Sequence, residues 1–244
     1  MRLVVDKLKR CGRDMSSGFL ILILLLIVSL RLQRYHLIRN AARYSMKLRI
    51  RPLTPDLWPA LEDLFGELGA CNGCWCMYWR IGSAYRKRAK ETNKAAFRQI
   101  VKQGLPPGLI AFEGEVPVGW CQLTPRGNVP WLDRSWRLRR VDDLPVWSIS
   151  CFYVRKGHRR RGVTSALINA AVKTAQAAGA PALEAYPLDG DLTPSSSWTG
   201  YASTFVRAGF KTVARHTPPR PIMRRDLRPV NTPAPKILKH KKAK

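Results

Sequence analysis

Residues 146–178, VWSISCFYVRKGHRRRGVTSALINAAVKTAQAA, limit what this chain can fold into more than any other stretch. Val146 to Val154 is apolar and rich in β-branched and aromatic residues, the pattern of a buried strand. Arg155 to Arg161 is a short, very basic turn. From Gly162 onward Val163, Ala166, Leu167, Ala170, Ala171, Thr174 and Ala178 recur at helical spacing. Gly179 and Pro181 stop the helix, as a glycine followed by a nearby proline should. The pattern predicts strand, cationic loop, helix.

That arrangement has a direct chemical use. The first N–H groups of a helix have no internal partner, and the helix dipole adds partial positive charge there. A glycine lets a ligand approach the main chain, so a phosphate group can sit on the N–H groups of Arg161, Gly162, Val163 and Thr164. Thr164 and Ser165 add hydroxyls, and Arg159, Arg160 and Arg161 add charge. The competing reading is a solvated basic turn between ordinary elements, since most helix N-termini bind nothing.

The same residues carry a resemblance. Val154-x-Lys156-x-x-Arg159-x-x-Gly162-x-Thr164 resembles the acyl-CoA-binding signature of the GNAT superfamily of N-acetyltransferases, V-x-P-x-x-[RQ]-x-x-G-x-[GA]. The resemblance implies that Phe152 and Val154 face the pantetheine arm of acetyl-CoA, and that Arg159 to Thr164 hold its pyrophosphate. It also implies that a main-chain N–H near Phe152 or Tyr153 polarises the thioester carbonyl. Two positions depart from the signature: Lys156 replaces the usual proline, and Thr164 replaces glycine or alanine.

A length of 244 residues fits one domain of ordinary size with extensions, and an apolar fraction of 45% is enough to build a core. The net charge is +27. Residues 1–46 carry 9 lysines and arginines against 2 acidic residues, and residues 228–244 carry 6 against none. About half of the excess therefore lies in the tails, where it reads as affinity for polyanions or a membrane surface. The rest lies in the folded part and would draw in an anionic co-substrate such as CoA. Charge alone does not make the chain a nucleic-acid reader. Six irregularly spaced cysteines do not form a secreted disulfide framework, so a reducing, cytoplasmic setting is expected.

Residues 1–45 form an N-terminal basic and apolar extension, with an unbroken apolar run from Phe19 to Val28. That run is short for a spanning helix, which needs about 20 apolar residues. Three readings compete: a membrane anchor through 18–32, a degenerate signal-like segment, and an over-extended start with the working protein beginning at Met46. The last is favoured because MKLRIRPLTPDLW opens with a credible strand. Residues 46–227 are read as the acetyltransferase domain and 228–244 as a basic disordered tail.

Within the domain, Lys47 to Leu53 reads as a strand, and Thr54-Pro55 starts a helix ending near Gly69. Cys71 to Trp79 is a loop, and Thr92 caps a second helix ended by Gly104. Leu109 to Phe112 and Val116 to Leu123 form a hairpin around Gly114. Arg126 to Leu144 is a long loop over the sheet. After the central helix come a strand at Ala182 to Tyr186, a loop from Asp189 to Ser197 and a helix from Trp198 to Ala208. Strands at Phe210 to Arg215 and Ile222 to Arg225 close the domain. The order β-α-α-β-β-β-α-β-α-β-β is that of the GNAT fold, an α/β architecture with a mixed central sheet and helices on both faces. The resemblance covers Leu48 to Leu227.

Acetyl transfer needs a neutral amine, a polarised carbonyl and a stabilised thiolate. Glu184, acidic within an apolar strand, is the candidate base; its competing reading is an outward residue paired to an arginine. The family's later signature, Tyr-x-x-x-Gly-Phe, keeps Gly209-Phe210 here but has Phe205 in the tyrosine position. Tyr201, one helical turn earlier on the same face, or Ser203 is the substitute acid, the alternative being transfer with no dedicated acid because CoA thiolate is a tolerable leaving group. Cys71, Cys74 and Cys76 lack a fourth ligand at finger-like spacing, so no metal is expected. With Trp75, Tyr78 and Trp79, the latter two cysteines read either as a wall of the acceptor pocket or as core. The expected activity is acetyl transfer from acetyl-CoA to an amine, with nucleic acid not required. The alternative is an inactive acyl-CoA-binding module with basic tails that dock on nucleic acid or anionic membrane.

Overall fold

The computed structural model describes Ser29, residues 47–190 and residues 198–227. The chain divides after Met46, and the second unit carries the fold. Apart from Ser29, the N-terminal extension with its apolar run lies outside the described residues, as do residues 191–197 and the basic tail at 228–244. No helix among the described residues is long and apolar enough to cross a membrane.

Seven strands form one mixed sheet in the order β1-β2-β3-β4-β5-β7-β6. They are β1 Leu48–Pro52, β2 Gly108–Glu113, β3 Val116–Pro125, β4 Trp147–Val154, β5 Ala182–Ala185, β6 Lys211–Thr217 and β7 Arg220–Asp226. Every neighbouring pair is antiparallel except β4 and β5. That parallel pair needs a crossover, which α5 (Val163–Ala177) supplies. The other helices are α1 Trp58–Phe65, α2 Tyr78–Ile81, α3 Lys90–Gln103, α4 Trp131–Arg134 and α6 Ala202–Arg207.

The faces follow from alternation along β3. A Cβ on Gly119 would lie 2.5 Å from Val163 Cγ1, so the missing side chain lets the first turn of α5 close onto the sheet. The next residue, Trp120, points the opposite way and is fully buried among Phe65, Phe97 and the other residues of α1 and α3. α5 buries Val163, Leu167, Ile168, Ala171, Val172 and Ala175, a stripe at helical spacing. A second cluster, Trp79, Val129, Leu132, Leu138, Tyr186 and Ile222, lies beneath the segment after β3.

Several local expectations are corrected. The first helix is shorter than predicted: a 3-10 turn at Pro55–Leu57 leads into α1, which stops where Gly66 takes φ +62°. Thr54 makes no capping bond; its side chain bonds the Asp56 carboxylate instead. α3 starts at Lys90, two residues before Thr92. Residues 126–144 contain α4 and two 3-10 turns, because Leu132 and Leu138 are buried and pull the chain onto the core. The last helix begins at Ala202, after a left-handed turn at Gly200, φ +83°.

Cys71 to Met77 is a string of turns with Trp75 and Cys76 at φ +44° and +57°, whereas Tyr78 and Trp79, expected in the same loop, open α2. A left-handed conformation costs such residues roughly 1–2 kcal/mol each. Burial offsets that cost: the Trp75 ring stacks 5.8 Å from Trp58 and 5.5 Å from Phe65. Asn93 Nδ2 donates to the carbonyls of Gly73 and Tyr85, both at 2.9 Å, tying this stretch to α3.

Candidate functional site

β4 and β5 pair only through Trp147–Leu183, Ser148–Glu184 and Ile149–Ala185. Beyond Ile149, β4 runs five more residues with no strand on that side. A register shift against Gln122 and Leu123 marks a bulge at Ser150, which bends β4 where the strands part. A gap between parallel strands is thus built into the centre of the sheet.

Main-chain direction along this gap follows from one hydrogen bond. Arg155 N donates to Val118 O at 3.0 Å, so Arg155 and Tyr153 aim their backbone groups at β3. By alternation, Phe152 and Val154 aim theirs at the gap. Val154 O accordingly accepts from Arg159 Nε at 3.3 Å rather than from a strand. Of the two N–H groups that sequence offered for polarising a carbonyl, Phe152's faces the gap and Tyr153's faces β3. The Tyr153 ring lies on the opposite face, 5.7 Å from Phe65.

The basic turn leads from this edge into α5. Arg160 takes φ +60° and Gly162 φ +84°, so left-handed residues alternate with Arg161 between them. Such alternation turns successive N–H groups toward one point, a concavity suited to an anion. A Cβ at Gly162 would meet nothing within 4 Å; backbone conformation, not crowding, selects glycine there. Val163 is buried and anchors the helix, while Thr164 is half-buried and Ser165 exposed. Arg159, Arg160 and Arg161 are exposed. Glu113, which sequence reasoning treated only as a turn residue, braces the loop: its carboxylate takes Arg161 Nη2 at 3.1 Å and His158 Nε2 at 3.0 Å.

Phe205, in the position of the family's tyrosine, is fully buried between Phe152 and Phe210, with ring centroids 6.1 and 5.1 Å away. It therefore lines the same face as Phe152 but brings no hydroxyl. Tyr201 does not sit a helical turn before it on one helix face: it is the extended residue that precedes α6, 39% exposed and bridged to Leu188.

Glu184 is neither outward nor free. It is 1% exposed, and both carboxylate oxygens are occupied. Arg224 Nη2 donates to Oε1 at 2.7 Å, while Arg126 Nη1 at 2.9 Å and the Tyr186 hydroxyl at 3.0 Å donate to Oε2. Arg126, itself buried, also binds Asp133 at 2.8 Å, and Arg224 binds Asp142 at 2.7 Å. Burial pulls the Arg126 pKa down, but Tyr186, Asp133 and Glu184 outweigh it and the net shift is upward. Burial, then Glu184, pushes Tyr186 well above the usual phenol range. Held by two guanidinium groups that also bind Asp133 and Asp142, Glu184 ties the sheet to the 126–144 segment. Arg126 carried no sequence signal; only the fold brings it 58 residues along the chain to Glu184.

On that face the pocket-wall candidates separate. Trp75 and Cys76 are core: Trp120 Nε1 lies 3.0 Å from Cys76 Sγ, and Gln122 Nε2 donates to Cys76 O at 3.2 Å. Cys151 is hydrogen-bonded to Cys76, which with burial pushes its thiol well above the usual range. Cys74 is pushed up to about 12, chiefly by burial. Neither is a ready nucleophile. Among the described residues no group of three or more His, Cys, Asp or Glu could hold a metal ion. Trp79 and Tyr78 instead border the gap: Trp79 Nε1 donates to Ser150 O at 2.8 Å.

Comparison with known proteins agrees with this geometry. Residues 74–191 match the model of the acetyltransferase (GNAT) family. No curated protein sequence matches the chain. Among solved structures, an N-acetyltransferase of Staphylococcus aureus Mu50 aligns at 14% identity and TM-score 0.45, over 75% of this chain and 99% of its own. The PaiA N-acetyltransferase of Thermoplasma acidophilum, in complex with coenzyme A, aligns at 16% and 0.43, over 74% and 99%. The yncA protein of Salmonella typhimurium, solved with acetyl-CoA, aligns at 16% and 0.46, over 77% and 98%. Residues 74–191, with the split sheet and the basic loop that they contain, therefore carry a domain of the acetyltransferase (GNAT) family.

Proposed function

We propose that this chain transfers the acetyl group of acetyl-CoA to an amine. The observation that carries the reading is the β4–β5 gap, whose β4 edge runs directly into the left-handed turns at Arg160 and Gly162. The main chain of Phe152 and Val154 would bind the pantetheine arm. The N–H groups from Arg161 to Thr164, with Arg159 and Arg160, would take the pyrophosphate. In the transfer a neutral amine attacks the thioester carbonyl, polarised by Phe152 N–H. The new C–N bond forms, the C–S bond breaks, the amine loses a proton to solvent and the thiolate gains one. Tyr201, exposed and bridged to the chain just beyond β5, is the candidate donor to the thiolate. Glu184 orients the 126–144 segment and takes no proton.

The test is a thermal shift with acetyl-CoA, followed by release of free thiol across a panel of amines. Acetyl-CoA is expected to raise the melting temperature, and Gly162→Pro to abolish that rise, because proline cannot adopt φ +84° and offers no N–H. No shift at millimolar acetyl-CoA would overturn the reading. A second reading, an acyl-CoA-binding module without catalysis, is favoured by the buried Phe205 and the fully paired Glu184. It predicts the thermal shift without thiol release.

A further inference from the structure

Among the described residues, the mouth of the β4–β5 gap, on the face of Tyr186, is lined by rings and a guanidinium. Ser150 and Tyr186 are the first residues past the last paired rung, Ile149–Ala185. Trp79 is bonded to Ser150 O, and its ring lies 5.5 Å from Trp198; Tyr78 meets Trp198 edge-on, also at 5.5 Å. Arg220, the first residue of β7, lies over the Trp198 ring at 5.8 Å. Its Nη1 donates to Tyr186 O at 3.4 Å and to Thr199 Oγ1 at 3.1 Å. The guanidinium thus spans the β5 side of the opening, with the aromatic wall reaching across to β4.

Arg220 differs from the other arginines of this face. Arg126 is matched by Asp133 and Glu184, and Arg224 by Asp142 and Glu184. Among the described residues no carboxylate pairs with Arg220, and its Nε and Nη2 donate to nothing. A second cation, Arg137, acts on it electrostatically. Burial shifts Arg220 downward, with Tyr78 opposing the shift and Arg137 adding to it, the net direction expected of a cation short of a counterion. The free Nε–Nη2 edge is the fork that grips a carboxylate through two parallel hydrogen bonds.

We propose that the acceptor bears a carboxylate as well as its amine, as an amino acid does. Arg220 binds the carboxylate through Nε and Nη2, and the acceptor's hydrocarbon part lies against Tyr78 and Trp198. This rests on the acetyl-transfer reading above and adds the class of acceptor. Arg137 adds a longer-range pull on the same anion.

The experiment compares L-phenylalanine, L-tryptophan and L-methionine with their amides as acceptors for the full chain, rates being taken per unit of neutral amine. The acids are expected to exceed the amides in kcat/KM by at least about tenfold. Arg220→Gln should bring that ratio close to one, and Arg220→Lys, which keeps charge without the fork, should leave an intermediate ratio. Amides used as well as the acids would overturn the proposal, as would a preference that survives Arg220→Gln. It is also overturned if neither series is acetylated by protein whose melting temperature acetyl-CoA raises. Absence of that rise would instead sink the acetyl-transfer reading. Should Arg220→Gln fail to fold, the ratio in the unaltered protein and in Arg220→Lys still decides.

Discussion

Trp79 Nε1 and Ser150 O are 2.8 Å apart, a bond from α2 to the bulged residue of β4 where β4 leaves β5. A strand edge facing a gap would otherwise carry a buried, unpaired carbonyl. The indole satisfies it and fixes how far the strands part. Trp79→Phe keeps most of the ring and removes the donor. It is expected to cost about 1–3 kcal/mol in urea unfolding, the penalty of one buried acceptor left without a partner. It should also weaken the thermal shift by acetyl-CoA, since the bent edge of β4 loses its brace.

Glu184→Gln tests anchor against base. The substitution leaves Arg126 and Arg224 facing a neutral amide, and loss of one partner from a buried ion pair costs roughly 3–5 kcal/mol. Unfolding by urea should show a loss toward the lower end of that range, because Asp133 and Asp142 remain. Per folded molecule, the pH profile of acetyl transfer should match that of the parent. Loss of its acidic limb would make Glu184 the base after all.

The same network gives a pH dependence with a definite sign. The Arg224 hydrogen bond holds the Asp142 carboxyl below its usual 3.8, against a smaller opposing effect of burial. A depressed folded value means stabilisation that is full above about pH 4 and fades as pH falls through the folded value. Asp142→Asn should therefore lower the melting temperature at pH 7 slightly, Asp142 being partly exposed. The gap between variant and parent should shrink as the pH is taken from 4 toward 2. A gap that stays constant would mean the ion pair contributes nothing.

Arg80 is a half-buried cation that lies over the Phe97 ring at 6.0 Å and uses few of its donors. Nη1 reaches Asn128 O at 2.8 Å, while Nε and Nη2 are buried without a partner. Burial lowers its pKa, as it must for a charge removed from water. Replacing a poorly paired buried charge with an apolar side chain of similar length is neutral or stabilising. Arg80→Met should raise the urea midpoint by an amount equivalent to about 1 kcal/mol; a clear loss of stability would show that the carbonyl of Asn128 depends on it.

What could be read from sequence was what neighbours in the chain decide. β4, the loop and α5 were legible because hydrophobic period, glycine and charge act within a few residues of each other. Gly162 illustrates this: a glycine opening the helix is visible in the sequence, and the structure adds its left-handed backbone. Trp75 and Cys76 were not foreseeable in their left-handed turns, since only the rings of Trp58 and Phe65 and the bonds from Trp120 and Gln122 hold them there. Tyr201 was placed a turn too deep in its helix, because Gly200 delays the helix start for a reason that lies in packing against Phe152 and Phe205.

By itself the sequence determined the order of the seven strands, the longer helices and the cationic turn, because these rest on local period and backbone freedom; α2 and α4 it left as loops. Tertiary structure alone decided which groups face the gap. The bulge at Ser150 and the main-chain alternation past it select Phe152 over Tyr153. Arg126 and Arg224 converge on Glu184 and occupy both of its oxygens, and Arg220 is left at the mouth with a free edge. Charges distant in sequence act on one another only after folding has brought them within a few ångströms and taken away the water between them.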